Sequence, residues 1–164
     1  MSLLLVVTGP VGVGKTTIGW EMTEVLDERG LPFGFYDPDA IHFRPSQDDD
    51  PFGSRVWLAA LDTAWPLMAV NRLIVPVTVE RRADAERLLP CGALTVARLT
   101  ASPVTLEERI RRRELGAGLD WHLARARELE AHWQENPVED FLVDTEGRGV
   151  REIAVEVLTR SGWL

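Results

Sequence analysis

Hydrophobic residues fall into short, largely β-branched runs that alternate along the chain with longer segments of helical period. The runs are apolar almost throughout, as in strands that are covered on both faces of a sheet. Predicted strands are Leu3–Thr8, Phe33–Asp37, Arg72–Val79, Leu94–Thr100 and Phe141–Asp144. Strands that alternate with helices indicate an α/β fold built on a parallel sheet.

Helical spacing of apolar residues predicts a helix in each interval between the strands. The first, Lys15–Arg29, is followed by Gly30 and Pro32, a combination that ends helices. A second begins near Ser54, and its tryptophans recur at helical spacing, which favours core packing over stacking on a ligand. The other predicted helices are Arg81–Leu89, Thr105–Leu115, Trp121–Gln134 and Val150–Arg160, and the link Gly116–Asp120 joins two of them. The segment Pro38–Gly53 is expected to be an exposed loop.

Size and charge narrow the class of protein. A chain of 164 residues fits one domain, and 26 acidic against 18 basic residues give a net charge of −8, which disfavours a nucleic-acid partner. No apolar run has the length of a membrane span or of a signal-peptide core, so we expect a cytoplasmic protein with no membrane partner. The single Cys91 fits a reducing compartment, and the sequence indicates no oligomeric state.

The stretch GPVGVGKTT, directly behind the first predicted strand, has the spacing G-x-x-x-x-G-K-[ST] of a phosphate-binding loop. Its position between a strand and a helix supports that interpretation over an accidental glycine-rich turn. Glycines let backbone N–H groups approach phosphate oxygens, and the following helix N-terminus favours negative charge. The predicted phosphate-binding residues are Gly9, Pro10, Val11, Gly12, Val13, Gly14, Lys15, Thr16 and Thr17.

Roles within this loop follow from the chemistry of each side chain. The Lys15 ammonium is expected to reach the β- and γ-phosphates of ATP, and the Thr16 hydroxyl is placed to bind Mg²⁺. Thr17 is placed to donate to the α-phosphate. The sequence therefore predicts ATP and Mg²⁺ as ligands.

With this loop, the chain resembles the small P-loop kinases, a group that includes shikimate, gluconate and adenylylsulfate kinases and chloramphenicol phosphotransferase. The motifs that follow in the group's order are YDPDAI, LEERIRRREL and LVDTEGRGVREIAVEVL. The resemblance implies a three-layer P-loop NTPase fold whose five-stranded parallel sheet has the order 2-3-1-4-5. It also implies a short lid around residues 109–120 within a single domain, residues 1–164.

The acidic pair Asp37 and Asp39 ends the second predicted strand, at the sheet edge where ligands bind in open α/β folds. One carboxylate near the acceptor hydroxyl would orient it and receive its proton. By resemblance to shikimate-type kinases, Asp37 is the magnesium-side residue and Asp39 the acceptor-side residue. The alternative is an acidic turn in which Asp39 caps a short helix.

The arginine-rich helix carries the second group of candidates. Glu107 and Glu108 each precede an arginine by four residues, which gives Arg111 and Arg112 surface partners. Arg109 and Arg113 share a face, and the resemblance implies that they clamp the nucleotide phosphates. A solvated basic face is the alternative.

Two departures from the group's pattern lie near the third predicted strand. It lacks the acidic residue that many P-loop proteins place there for Mg²⁺, and Pro76 predicts a bulge or an early strand end. Glu80, just past that strand, is a candidate for the acceptor pocket, and the alternative is an acid at the start of a helix, where the helix dipole favours it.

These features predict a Mg²⁺-dependent ATP phosphotransferase that acts on a small hydroxyl-bearing metabolite, nucleotide or antibiotic. Its predicted catalytic residues are Lys15, Asp37, Asp39, Arg109 and Arg113. The alternative is a nucleotide-binding or ATP-hydrolysing regulatory module without a small-molecule acceptor.

Overall fold

Strands and helices alternate along the chain in a computed structural model that describes residues 1–40, 54–88, 92–113 and 118–164. The strands are β1 Leu3–Thr8, β2 Gly34–Phe35, β3 Arg72–Pro76, β4 Ala93–Thr100 and β5 Phe141–Asp144. The helices are α1 Lys15–Glu28, α2 Ser54–Met68, α3 Arg82–Glu86, α4 Pro103–Arg113, α5 Gly118–Glu135 and α6 Val150–Arg160, with a 3₁₀ turn at Pro38–Ala40.

The five strands form one parallel sheet in the order β2-β3-β1-β4-β5. The central strand β1 pairs with β3 on one side and with β4 on the other. This order and the parallel direction confirm the predicted P-loop NTPase topology. Because carboxyl ends of parallel strands share one edge, the segments that follow β1, β2 and β3 meet there.

Two apolar clusters cover the two faces of the sheet and make three layers. Leu5 and Val7 of β1 belong to a cluster with α1 and α6, whereas Leu4 and Val6 belong to one with α2, α3 and α5. Alternate residues of a strand point to opposite faces, so β1 contributes to both clusters. Burying each such side chain stabilises the fold by roughly 1.5–3 kcal/mol.

Proline and local capping set one bound of each of two elements. β3 ends at Pro76, which confirms the early strand end, since proline has no N–H for the ladder. α4 starts at Pro103, earlier than predicted, because Ser102 Oγ accepts a hydrogen bond from Thr105 N at 3.2 Å and caps the helix. The signal for this start, Ser-Pro before an apolar period, was present in the sequence.

Other predicted bounds were wrong. β2 is shorter than predicted, and α3 spans a shorter range than residues 81–89. α5 begins at Gly118, so the predicted link of residues 116–120 is helical from that residue on. Residues 41–53, 89–91 and 114–117 lie outside the described part of the chain. They include most of the predicted loop, Cys91 and the middle of the predicted lid, which stays a prediction.

Candidate active site

The loop between β1 and α1 follows a path that only glycine allows at its first position. Gly9 has φ 145°, and a Cβ there would lie 2.6 Å from Leu99 O of β4. Gly14 has φ 102°, and a Cβ there would meet nothing within 4 Å. The loop is therefore packed against the sheet at its start and open at its end, where α1 begins.

Lys15 spans this loop from the first turn of α1. Its Nζ donates to Gly9 O at 3.0 Å and to Pro10 O at 3.2 Å. The pKa of Lys15 is lowered from 10.5 to about 8, mainly by burial and also by Arg113, while the carboxylates Asp39 and Asp37 oppose the shift. The charges of these four side chains therefore lie close enough to influence one another, although they come from three separate segments.

The acidic pair forms a turn after β2. Asp37 Oδ1 accepts a hydrogen bond from Asp39 N at 2.9 Å, and Asp37 O accepts one from Ala40 N at 3.1 Å. The capping residue is thus Asp37 rather than Asp39, the reverse of the alternative raised from the sequence. Asp39 is exposed and lines a cavity, whereas Asp37 is half-buried.

Side chains with oxygen donors of the kinds that suit a divalent cation lie in the first turn of α1 and in the turn after β2. Thr16 is half-buried in the first turn of α1, next to Lys15, and Thr17 is exposed. A hydroxyl and a carboxylate suit Mg²⁺, which takes its remaining ligands from phosphates and water. Thr16 and Asp37 therefore fit the ion by donor type. Among the described residues, no group of three or more His, Cys, Asp or Glu side chains could hold a metal.

Arg109 has protein partners that the sequence did not indicate. Its Nη1 donates to Thr145 Oγ1 at 3.0 Å and to Val13 O at 3.3 Å, and its Nη2 donates to Thr145 O at 3.4 Å. The half-buried guanidinium thereby ties α4 to the loop after β1 and to the segment after β5.

The neighbouring arginines of α4 differ from one another. Arg111 pairs with Glu107 at 2.7 Å, as its spacing predicted. The pair predicted for Glu108 and Arg112 was wrong, since within the described contacts no such ion pair joins them. Arg113 lines the same cavity as Lys15 and Asp39.

That cavity has a volume of about 610 Å³ and lies at the carboxyl edge of the sheet. Its walls come from the loop between β1 and α1 with the first turn of α1 (residues 9–17, together the phosphate-type loop), the turn after β2, helices α2 to α5 and the segment after β3. Its described lining residues include Val11, Lys15, Asp39, Trp57, Leu58, Val77, Thr78, Val79, Glu80, Arg81, Asp84, Arg87, Arg113, Trp121, His122, Arg125 and Leu129.

Sequence reasoning missed most of this wall. Trp57 was predicted as a core residue. It packs against the apolar cluster that α2, α3 and α5 form with Leu4 and Val6, and it also lines the cavity. Arg87, Trp121 and Arg125 were not singled out, because no local motif marks them. One signal was present in the sequence, since the lining positions 81, 84 and 87 recur every three residues, although Arg81 and Arg87 flank α3 and do not lie within it.

Helix α5 is held against the cavity floor by specific contacts. Trp133 Nε1 donates to Val79 O at 3.1 Å, His132 Nε2 donates to Glu80 O at 3.1 Å, and Arg125 pairs with the Glu80 carboxylate. These contacts fix the segment after β3, which lines the cavity beside the phosphate-type loop.

Comparison with solved structures places the fold. The tunicamycin resistance protein of Deinococcus radiodurans is 22% identical with a TM-score of 0.68, over 100% of this chain and 98% of that one. A gluconokinase from Sinorhizobium meliloti 1021 is 22% identical with a TM-score of 0.62, over 96% of this chain and 90% of that one. This chain has the P-loop kinase fold.

A shikimate kinase from Acinetobacter baumannii, solved with shikimate, has a TM-score of 0.65 at 18% identity, over 98% of this chain and 92% of that one. No protein-family model and no curated protein matches the sequence. At these identities the likeness establishes the fold. Within the described residues, no helix is both long and apolar enough to cross a membrane.

Proposed function

We propose that this protein is a Mg²⁺-dependent ATP phosphotransferase that acts on a small hydroxyl-bearing molecule. The observation that carries the proposal is the junction of two sites: Lys15 of the phosphate-type loop and Asp39 line one cavity of about 610 Å³. A loop that holds a nucleotide phosphate and a space of ligand size are thus in direct contact. The fold shared with a gluconokinase and a shikimate kinase supports the same class of reaction.

On the nucleotide side, the backbone N–H groups of residues 9–14 and the Lys15 ammonium hold the β- and γ-phosphates. Thr17 donates to the α-phosphate. Thr16 and Asp37 would hold Mg²⁺, which when bound would offset negative charge on the phosphates. Arg109 positions the loop through Val13 O, since its guanidinium contacts the loop backbone at 3.3 Å.

On the acceptor side, Asp39 orients the hydroxyl and receives its proton. The acceptor oxygen forms a bond to the γ-phosphorus while the bond between that phosphorus and the β–γ bridging oxygen breaks. ADP leaves with the electron pair, and the acceptor carries the phosphoryl group. Asp39 suits this role because it is exposed into the cavity and lies within electrostatic range of Lys15.

Arg113 stabilises the charge that spreads over the transferring group. It lines the cavity and influences the Lys15 charge. Arg113→Ala is expected to lower turnover more than it lowers the affinity for a nonhydrolysable ATP analogue. Arg113→Lys should restore only part of the rate, because an ammonium lacks the bidentate fork. Equal behaviour of Arg113→Ala and the surface control Arg111→Ala in single-turnover assays would contradict this role.

The experiment that tests the proposed function is a screen of metabolite pools for ATP-dependent phosphorylation, with acceptor-free ATP hydrolysis measured in parallel. Acceptor-dependent transfer supports the proposal. Hydrolysis that no acceptor stimulates would instead support a nucleotide-binding or hydrolytic module. Absence of ATP binding would exclude both.

The magnesium assignment has its own test. Thr16→Ala and Asp37→Asn should weaken ATP binding in the presence of Mg²⁺ more than in its absence, because they remove oxygen ligands of the ion. Calorimetric titrations with Mg²⁺ and with a chelator measure the two affinities. Identical losses under both conditions would reject Thr16 and Asp37 as ligands.

A further inference from the structure

We propose that the phosphoryl acceptor carries a carboxylate or phosphate group on an aromatic or similarly flat apolar body, and that Arg87 binds the anionic group. This inference rests on the proposed function, because it describes the molecule that fills the acceptor side of the same cavity. An acceptor of this type differs from an aliphatic polyhydroxy acid in having a flat apolar body in place of a chain of hydroxyl groups.

The first observation is the charge of the cavity wall. Its described lining has more cations than carboxylates, whereas the whole chain has a net charge of −8. The cations are Lys15, Arg81, Arg87, Arg113 and Arg125, and the carboxylates are Asp39, Glu80 and Asp84. Lys15 and Arg113 act on the nucleotide phosphates in the proposed reaction, and Arg81 and Arg125 are paired with Asp84 and Glu80. Among the described cations of the wall, Arg87 therefore remains for an anionic group of the acceptor.

The second observation separates Arg87 from the other arginines. Arg81 makes a bidentate pair with Asp84, at 2.9 and 3.1 Å, and Arg125 pairs with Glu80. In the described part of the chain, no hydrogen bond or ion pair engages the Arg87 guanidinium. Arg87 is therefore a cation in the wall whose planar fork is available to an anion.

Arg87 comes from a different segment of the cavity wall than the reacting groups. It follows α3, whereas Lys15 begins α1 and Asp39 lies in the turn after β2. In the proposed binding mode, an acceptor places its hydroxyl at Asp39 and its anionic group at Arg87 of the same cavity. The anion bound at Arg87 is thus a recognition group and takes no part in the transfer.

The third observation concerns the apolar part of the wall. Trp57 and Leu58 of α2 and Trp121 and Leu129 of α5 line the cavity together with Val79. Trp121 lines the cavity with an exposed fraction of 53%, and its ring meets the His122 ring edge-on at 4.8 Å between centroids, so the protein covers it only in part. Flat apolar surfaces bind tryptophan faces well, whereas a polyhydroxy chain would leave its hydroxyls against carbon.

The test uses four small probes at the full-length protein. They are 4-(hydroxymethyl)benzoate, 4-(hydroxymethyl)phenyl phosphate, the neutral 4-(hydroxymethyl)benzamide, and gluconate. Ligand-observed NMR titrations give the dissociation constants, with and without Mg²⁺ and a nonhydrolysable ATP analogue. Both anionic aromatic probes should bind about tenfold more tightly than the neutral amide and than gluconate. The tighter of the two identifies the anion as carboxylate or phosphate.

Arg87→Gln should lower the affinity for the two anionic probes about tenfold and leave the neutral amide unchanged. Arg29→Gln is the matched control, since Arg29 is exposed at the end of α1 and does not line the cavity. Trp121→Ala should weaken all three aromatic probes but not gluconate. Its control is Trp20→Ala, a tryptophan with a similar exposed fraction of 56% outside the cavity.

Three outcomes would overturn the proposal: gluconate binding as tightly as the aromatic acids, equal losses of anionic and neutral probes in Arg87→Gln, or no binding of any probe. Binding of the ATP analogue is measured separately. If the analogue binds and the probes do not, the acceptor assignment fails while the kinase proposal stands. If the probes bind and no nucleotide does, the kinase proposal fails and the ligand preference stands.

Discussion

The loop of residues 9–17 and the cavity of about 610 Å³ lie side by side, yet they are built in opposite ways. The loop is a continuous segment of residues 9–17, and its shape depends on backbone geometry, including the left-handed conformation of Gly14. The cavity wall is made of side chains from four helices, one turn and the segment after β3. One region is local in the sequence, and the other exists only once distant segments have packed together.

This difference affects how each region tolerates change. The proposed phosphate contacts of the loop come mainly from backbone N–H groups, which any chain that forms this loop presents. The cavity depends on which side chains α2, α3 and α5 present. Its ligand preference therefore changes by substitution without any change of fold.

The largest expected effect concerns the support of the cavity wall. Arg98 of β4 is only 6% exposed, pairs with Glu139 at 2.9 Å and Glu130 at 3.4 Å, and lies 5.3 Å from the ring centre of Trp133. Arg98→Met leaves these carboxylates without their partner, which should lower the free energy of unfolding by about 3–5 kcal/mol. Urea denaturation measures it.

The matching control is Arg111→Met, at an exposed ion pair on α4. If Arg98→Met costs no more than this control, the buried ion pair does not support the α5 wall. The loop and the cavity would then depend on tertiary contacts to the same degree.

The next effect concerns the loop. Lys15→Ala should lower kcat/KM for ATP by about 10²–10³, or about 2.7–4 kcal/mol, because it removes a fixed cation from the transferring phosphates. Circular dichroism should show an unchanged fold, since the side chain's two hydrogen bonds go to loop carbonyls. A variant that retains wild-type turnover would contradict the assignment of Lys15.

Two glycine substitutions compare the closed start and the open end of the loop. Gly9→Ala adds a clash with the β4 backbone, at 2.6 Å from Leu99 O, to the cost of a positive φ, whereas Gly14→Ala carries the φ cost alone. Gly9→Ala should therefore be the less stable variant by about 1–3 kcal/mol. Chemical denaturation of both variants measures the difference. Equal losses of unfolding free energy would mean that the backbone at Gly9 adjusts to a Cβ as readily as the backbone at Gly14.

Dependence on pH provides a smaller effect at the junction of the two regions. Burial lowers the pKa of Lys15 from 10.5 to about 8, so the ligand-free protein loses this charge as pH rises through that value. Nucleotide affinity should then fall by up to about tenfold per pH unit above it. Lys15→Arg should flatten that profile, because a guanidinium stays charged. An equal profile in both proteins would assign the titration to another group.

The same lowered pKa affects folding with the opposite sign. Between about pH 8 and 10.5 the unfolded chain binds more protons at Lys15 than the folded one, so this residue's contribution to stability rises with pH across that window. Lys15→Met should remove that slope in urea denaturation of the ligand-free protein. A slope that persists in the variant would come from other groups.

The smallest effect is expected at the helix surface. Arg111→Ala should change the free energy of unfolding by only about 0.3–0.5 kcal/mol, since its pair with Glu107 is exposed. Loss of more than this in urea denaturation would mean that α4 depends on its surface ion pairs. The contrast with Arg98 would then be weaker than proposed.

Parts of the fold were predictable from the sequence because their causes are local. Apolar runs marked the strands, Pro76 marked the end of β3, and a glycine stopped α1. The start of α5 and the pairing of Arg112 were predicted wrongly, because packing and side-chain geometry override spacing there.

The sequence by itself determined the phosphate-type loop, since its glycines and Lys15 act within nine consecutive residues and need only a preceding strand and a following helix. Only the tertiary structure decided that Trp57, Arg87 and Trp121 border one cavity, and that Arg109 contacts the loop. The physical reason is the distance of these residues along the chain. Their contacts form when the sheet brings separate helices to one edge, and no local propensity encodes that meeting.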